Sequence, residues 1–391
     1  MEKNNSRITV FLFIVMIFGF SLAFLLTPDQ AFSEQENRSL RTFPRFSWDA
    51  LASGDYSADI NDYFADQYPL RDLFVGVKAV SELALGKGEN NGVLLGEDGQ
   101  LAQRLFDISR ADGTVTQNTD RFDALTVSRA AEGINRAAQN AQVPFHVLLT
   151  GRTLDITASS FSYSNESGDA LRAALGEQLD GSVRYIDTIP TMIEKHRLGE
   201  SVYYKTDHHW TTLGAYYAYV ETMRSFGMEN ELLPPTAFEQ VVASDAFYGT
   251  AWSKSGMKFV SPDTLELWLR GNEDAFTVIA DGVPVDGLYA MEYLGKKDKY
   301  SVFLDGTHDV VTVTKKDGEP RPTLLLLKDS FANSLAPFLA QHFDLILLNL
   351  SSARSDFTNV TALAEKYGVD RVLLVYTLEN VIGASKLQKL R

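Results

Sequence analysis

The stretch LLLLKDSFANS sets Lys328, Asp329 and Ser330 directly after four leucines, Leu324 to Leu327, and ahead of a helical pattern that begins at Phe331. A serine on a tight strand-to-helix connection can project its hydroxyl from a sheet edge. It can also aim its own backbone N–H at a developing oxyanion, the chemistry of acyl transfer. Asp329 or Ser330 acting only as a helix N-cap is the plain alternative. A nucleophilic serine needs a base and a group that orients the base. The stretch YYKTDHHWTTLGAYYAY, residues 203–219, offers both, with Asp207 and His209 on one turn-rich connection before a helix starting near Thr212. One carboxylate beside one imidazole can fix the ring and stabilise its protonated form. Here too the alternative is a capping aspartate beside solvent-facing histidines. A metal site fits less well: adjacent histidines diverge, and His146, His196, His308 and His342 are scattered along the chain. Trp210 reads as a packing residue that braces the loop.

The elements that must position these residues follow from hydrophobic pattern. Residues 143–150, 183–188, 323–328, 344–349 and 370–376 are mostly continuous apolar runs separated by helical patterns. That is the signature of a parallel sheet buried on both faces, hence an α/β fold class, in which ligands bind beyond the carboxyl ends of the strands. Residues 92–103, GVLLGEDGQLAQ, predict a hairpin turning at Asp98-Gly99. From about 238 to 316, short β-rich runs separated by Gly, Asp and Pro turns predict an inserted β-rich subregion. Between 55 and 85, apolar and aromatic residues recur at helical spacing (Ile60, Tyr63, Phe64, Tyr68, Leu70, Phe74, Val77), which predicts amphipathic helices packing on the main domain.

Residues 8–26, ITVFLFIVMIFGFSLAFLL, carry no charge, and as a helix they would be about 28 Å long, close to the hydrocarbon thickness of a bilayer. Lys3 and Arg7 precede the run, so the positive-inside bias leaves 1–7 as a cytoplasmic tail and exports the rest. A signal peptide cleaved after Ser21-Leu22-Ala23 competes with an uncleaved transmembrane anchor, which the three apolar residues that follow favour. The expected organisation is therefore an anchor at 8–26, a juxtamembrane helical region at 27–90 and a catalytic domain at 91–391. With no cysteine, the chain has no disulfide, no thiolate metal site and no cysteine nucleophile. The net charge of −15 argues against nucleic acid as a partner.

At this point the residues carry a resemblance. YKTDHHWTTLGAYYAY resembles the signature of the DHHW protein family, which is similar to the periplasmic alginate O-acetylation proteins, acyltransferases of SGNH-hydrolase-like fold. The blocks FSEQENRSL (32–40), FADQYPLRD (64–72), GVLLGEDGQL (92–101), FYGTAWSKSG (247–256) and LLLKDSFANS (325–334) agree in order. The resemblance implies Ser330 as nucleophile, His209 as general base and Asp207 as its orienting carboxylate, with Asp and His ahead of Ser in the chain. Many members of the superfamily have glycine where this chain has Lys328, and His208 takes the variable middle place of the Asp-x-His motif. The Ser330 backbone N–H is the default oxyanion donor. Asn333, Arg152 and Arg354 are further candidates as oxyanion or substrate-binding groups, and Lys205 and Tyr204 as cleft-lining ones, each equally able to be structural. By the same resemblance the acyl group is acetyl, no cofactor is needed, and the partners are a cell-surface polysaccharide and a multipass membrane-bound O-acyltransferase. An esterase of the same fold, or a non-catalytic glycan-binding or scaffolding component of a cell-envelope complex, is the other reading. In that second reading Trp252 and Trp268 would serve as stacking platforms.

Overall fold

The computed structural model describes residues 2–33, 35, 38–104, 106–109, 115–119, 124–162, 166–351, 356–383 and 386–391. The chain divides into two units, one of residues 1–90 with 253–258 and one of 91–252 with 259–391.

In the first unit, helix α1 (Glu2–Leu26) contains an apolar stretch, Arg7–Leu26, long and apolar enough to cross a membrane. Three further helices follow, a short one at Trp48–Ser53, then α2 (Asp55–Gln67) and α3 (Arg71–Ala84). Gly54 permits the break before α2, because its φ of 90° lies in the left-handed region. Asp66 anchors the preceding strap, accepting hydrogen bonds from Arg38 Nη1 (3.0 Å) and the Arg41 N–H (2.9 Å). The helices expected between 55 and 85 are present, and Tyr63 of α2 is buried, but the apolar stripe of α3 is not covered. Leu73, Phe74, Val77 and Val80 of α3 are all exposed.

In the second unit eight strands form one sheet: β1 (Phe145–Thr150), β2 (Val183–Asp187), β3 (Phe276–Ala280), β4 (Val283–Val285), β5 (Val310–Lys315), β6 (Thr323–Lys328), β7 (Asp344–Asn349) and β8 (Arg371–Thr377). Their order is β4-β3-β5-β7-β6-β8-β1-β2. The five predicted buried strands are the parallel part, β7-β6-β8-β1-β2. Leu324 to Leu327 of β6 are fully buried, as continuous apolar runs require when both faces are covered.

The region 238–316 differs from expectation. Three of its strands, β3, β4 and β5, extend the main sheet as an antiparallel edge through the pairing of β5 with β7. Only Glu239–Phe247 and Asp263–Leu269 form a separate antiparallel ribbon. The alternation that marked these segments as a subregion reflects a sheet edge with one buried face: Phe276, Val278 and Ala280 point inward, as do Val311 and Val313. Trp268 belongs to the same core and is 3% exposed, so it offers no stacking face to a ligand. The hairpin at Asp98-Gly99 forms as expected, with Val93–Leu95 pairing Leu101–Gln103. Both turn residues take positive φ.

Candidate active site

β6 ends at Lys328 in the middle of the parallel sheet, and helix α5 (Phe331–Leu339) begins three residues later. The intervening Asp329 is buried and binds the turn in place. It accepts from the Phe331 N–H (3.1 Å), the Thr377 N–H (2.7 Å) and Asn380 Nδ2 (2.9 Å), so the turn after β6 is tied to the one after β8. Burial pushes its carboxyl pKa up, and these donors pull it back. Asp329 thus does the capping, and the Ser330 side chain makes no cap bond. With φ −66° and ψ −19°, Ser330 sits unstrained in the right-handed helical region. Among the described residues its backbone N–H has no hydrogen-bond partner, which leaves a donor at the N-terminus of α5.

The loop carrying Asp207 and His209 leads into helix α4 (Thr212–Ser225). Tyr203 and Trp210 pair as an isolated antiparallel bridge, and Tyr204 N–H donates to His209 O (3.2 Å), so the loop closes on itself with Asp207 and His208 at its tip. Thr211 caps α4 by accepting from the Gly214 N–H (3.2 Å). Gly214 is needed there, because a Cβ would collide with the Val202 carbonyl. Asp263 fixes the loop's entry by accepting from the backbone N–H groups of Lys205 (2.8 Å) and Thr206 (2.7 Å). Trp210 is fully buried, and its Nε1 donates to Ser334 Oγ on α5 (2.8 Å).

These two loops meet. His209 Nε2 lies 2.6 Å from Ser330 Oγ, and His209 Nδ1 lies 2.6 Å from Asp207 Oδ1. Asp207 Oδ1 also accepts from the His209 N–H (3.0 Å), and its Oδ2 accepts from Thr250 N–H (2.8 Å) and Oγ1 (3.1 Å). Burial opposes ionisation of Asp207, but the two neighbouring imidazoles and the donors of His209 and Thr250 hold its carboxyl well below the usual carboxylate range. Tyr300 stacks on the His209 ring at 3.8 Å with planes 10° apart, and its hydroxyl reaches Ser334 Oγ (2.9 Å). Gly249 packs so closely on Asp207 that a Cβ would collide with it. Asp207, His208 and His209 bring three possible metal-ligand atoms within 4.8 Å of one another. His209, however, commits one ring nitrogen to Asp207 and the other to Ser330, and the exposed His208 turns its Nδ1 to Thr250 Oγ1 (2.7 Å).

The other sequence candidates sit elsewhere. Arg152 follows β1, where its guanidinium is held by Asp155 (Nη2–Oδ1 2.8 Å, Nε–Oδ2 3.2 Å). Its neighbour Thr153 reaches the His208 carbonyl (3.4 Å). Tyr204 is buried edge-on against Phe247. Lys205 meets Asp263 through its backbone, and Arg354 lies outside the described residues. Asn333 is buried and engaged at both ends of its amide, accepting from Lys328 Nζ (2.6 Å) and donating to the Gly306 carbonyl (3.0 Å). Thr250, Tyr300, Asp263 and Gly249 carry no signal of their own in the sequence, although Gly249 and Thr250 fall in the block FYGTAWSKSG.

Buried Lys328 yields a pH prediction. Desolvation depresses its pKa to about 8 from an ordinary 10.5, despite the nearby Asp329. Between those values the unfolded chain holds more protons than the folded one, so this group's contribution to stability should rise with pH across that window. Urea denaturation of the native protein and Lys328→Met at about pH 7 and about pH 10 checks this. The native midpoint should gain on the variant at the higher pH, and a constant difference contradicts it.

The family pattern described as DHHW protein matches residues 153–348, half of the chain, a span that includes Asp207, His209 and Ser330. This chain belongs to the DHHW family. No curated protein matches it in sequence. Among solved structures, the chain is similar to a DHHW family protein from Eubacterium siraeum, with 17% identity and a TM-score of 0.57 over 76% of this chain and 98% of that one. It is also similar to Bacillus cereus PatB1 with a sulfonyl adduct, with 18% identity and a TM-score of 0.60 over 76% and 98% of the two chains. The O-acetyltransferase domain of Pseudomonas putida AlgJ aligns more loosely, at 14% identity and a TM-score of 0.45 over 74% and 92%. The likeness to the first two shows that this DHHW chain shares their fold, here mixed α/β with a large, mostly parallel sheet.

Proposed function

We propose that this protein is a membrane-anchored, extracytoplasmic O-acyltransferase that carries an acetyl group on Ser330 and passes it to a hydroxyl of a cell-surface polysaccharide. The observation that carries this reading is the unbroken chain Ser330–His209–Asp207, with both links at 2.6 Å. Ser330 Oγ attacks the acyl carbon of the donor while His209 Nε2 takes its proton. The ionised Asp207 keeps the Nδ1 proton facing itself and stabilises the imidazolium that forms. The oxyanion meets the Ser330 N–H. The leaving group then departs with the proton, which leaves an ester on Ser330. A sugar hydroxyl repeats the steps in reverse: it gives its proton to His209, attacks the ester, and frees Ser330 by returning that proton to Oγ.

The sulfonyl adduct of the similarly folded PatB1 supports the reading, since such adducts form at activated nucleophiles. The apolar stretch Arg7–Leu26, preceded by Lys3, supports anchoring with the amino terminus in the cytoplasm and residues 91–391 outside. Tethering there raises the encounter rate with a multipass membrane-bound O-acyltransferase that would supply the acetyl group.

The test is incubation of the full chain in detergent with p-nitrophenyl acetate and a neutral oligosaccharide. Acetylated oligosaccharide in the mass spectrum is the expected product. Free acetate as sole product assigns an esterase, and release of p-nitrophenol no faster than in buffer overturns the enzyme altogether.

A further inference from the structure

Helix α3 presents its apolar stripe outward. Leu70, Leu73, Val77 and Val80, spaced three or four residues apart, are 63%, 58%, 53% and 54% exposed, and Phe74 is exposed beside them. A soluble helix buries such a stripe, and the described residues of the first unit leave it open, so something else covers it. The contacts of α1 point to what that is. Phe20 stacks on Tyr68 (centroids 5.6 Å apart, planes 17°) and packs on Phe74 (5.8 Å), and Phe24 packs on Phe64 (5.1 Å). If Arg7–Leu26 spans the bilayer, its length of about 30 Å puts Leu26 at the outer hydrocarbon boundary and Phe20 about 9 Å beneath it. Even with their whole separation from Phe20 directed outward, the Tyr68 and Phe74 rings would remain about 3 Å below that boundary.

We propose that residues 68–85 lie in the outer leaflet of the membrane, with Leu70, Leu73, Phe74, Val77 and Val80 among the lipid chains. This rests on the anchoring reading of α1 and adds a second, interfacial element to it. The composition suits that depth: Tyr and Phe where the segment meets α1, aliphatic residues along the stripe. The charges near the stripe are tied back. Arg71 Nε donates to the Ala65 carbonyl (3.1 Å), and Lys78 Nζ donates to Asn90 Oδ1 (3.0 Å) and pairs with Glu82 (3.8 Å). The long stem of Lys78 can lie along lipid while its ammonium stays at the headgroups. A lipid-embedded α3 would hold the protein against the bilayer surface as well as tether it.

Because the chain has no cysteine, single spin labels report one position each. The full chain is reconstituted in phosphatidylcholine vesicles with a label at Phe13→Cys in α1, Leu73→Cys or Val77→Cys in α3, or Leu198→Cys, which is 68% exposed in the second unit. Circular dichroism confirms that each labelled protein is folded. Collision rates are then measured with oxygen, which partitions into lipid, and with a water-soluble nickel chelate. The proposal expects high oxygen and several-fold lower nickel accessibility at 13, 73 and 77 than at 198. Lipid exposure at 13 with nickel exposure at 73 and 77 overturns the proposal and leaves the anchor standing. Nickel exposure at 13 removes the anchor and the proposal together. Labels at 73 and 77 shielded from both reagents indicate a protein cover, which also overturns it.

Discussion

Replacing Ser330 by alanine should reduce p-nitrophenol release from the acetate ester by about a thousandfold or more, to the level set by the remaining oxyanion donor. The expectation follows from one contact. Ser330 Oγ is the atom that His209 Nε2 faces at 2.6 Å, so among the described residues no other hydroxyl is placed to give up its proton. His209→Ala should cost as much, because the alanine leaves Ser330 Oγ without a base. The double variant should lose little more than either alone, since residues acting as one unit do not contribute additively. Steady-state kcat/KM for the three variants checks this. A double variant whose loss is the product of the single losses would show that the two side chains act separately. The fold should tolerate Ser330→Ala, since Asp329 and not Ser330 caps α5.

Asp207→Asn should cost on the order of a thousandfold in kcat/KM with the loop intact. Both carboxylate oxygens of Asp207 face donors: His209 Nδ1 and the His209 N–H on one side, Thr250 N–H and Oγ1 on the other. An asparagine amide has one oxygen for the two sides. If the oxygen turns to His209, the amide NH2 confronts the Thr250 N–H. That leaves a buried donor unpaired, at a cost of about 1–3 kcal/mol. If it turns to Thr250, the NH2 donates to His209 Nδ1, the ring proton moves to Nε2, and the imidazole can no longer accept the serine proton. Either outcome is harmful, and the second is the more damaging to catalysis. Activity within tenfold of the native protein would show that the carboxylate is dispensable. Measuring kcat/KM alongside the thermal midpoint separates the tautomer effect from loss of structure.

The architecture is largely legible in the sequence because continuous apolar runs have one good solution, a sheet covered on both faces. All five such runs are parallel strands, and LLLLKDS runs off the carboxyl end of a central one, as its pattern requires. The β-rich region misleads because alternation reports one buried face and says nothing of which sheet it completes. Thus β3 to β5 extend the main sheet. Asp207 and His209 are legible as a pair because a single residue separates a carboxylate from a base on one loop. Their meeting with Ser330, 121 positions away, is a property of the topology that only the demands of acyl-transfer chemistry suggest beforehand. Separation along the chain also hides Thr250 and Tyr300, whose work on Asp207 and His209 depends wholly on tertiary placement. Arg152 shows the converse: a cation at the carboxyl end of a strand looks available until its neighbour Asp155, three residues on, takes the guanidinium. Asn333 is likewise engaged by Lys328, a residue whose own burial at 2% exposure a charged side chain does not advertise.

Acyl transfer by this chain requires Ser330 to be a nucleophile activated by His209. Treating the full chain with a fluorophosphonate and mapping the modified peptide by mass spectrometry tests it most directly. One adduct per chain on Ser330, absent in His209→Ala, is the predicted result. An unmodified chain, or an adduct at another residue that survives in Ser330→Ala, would contradict it.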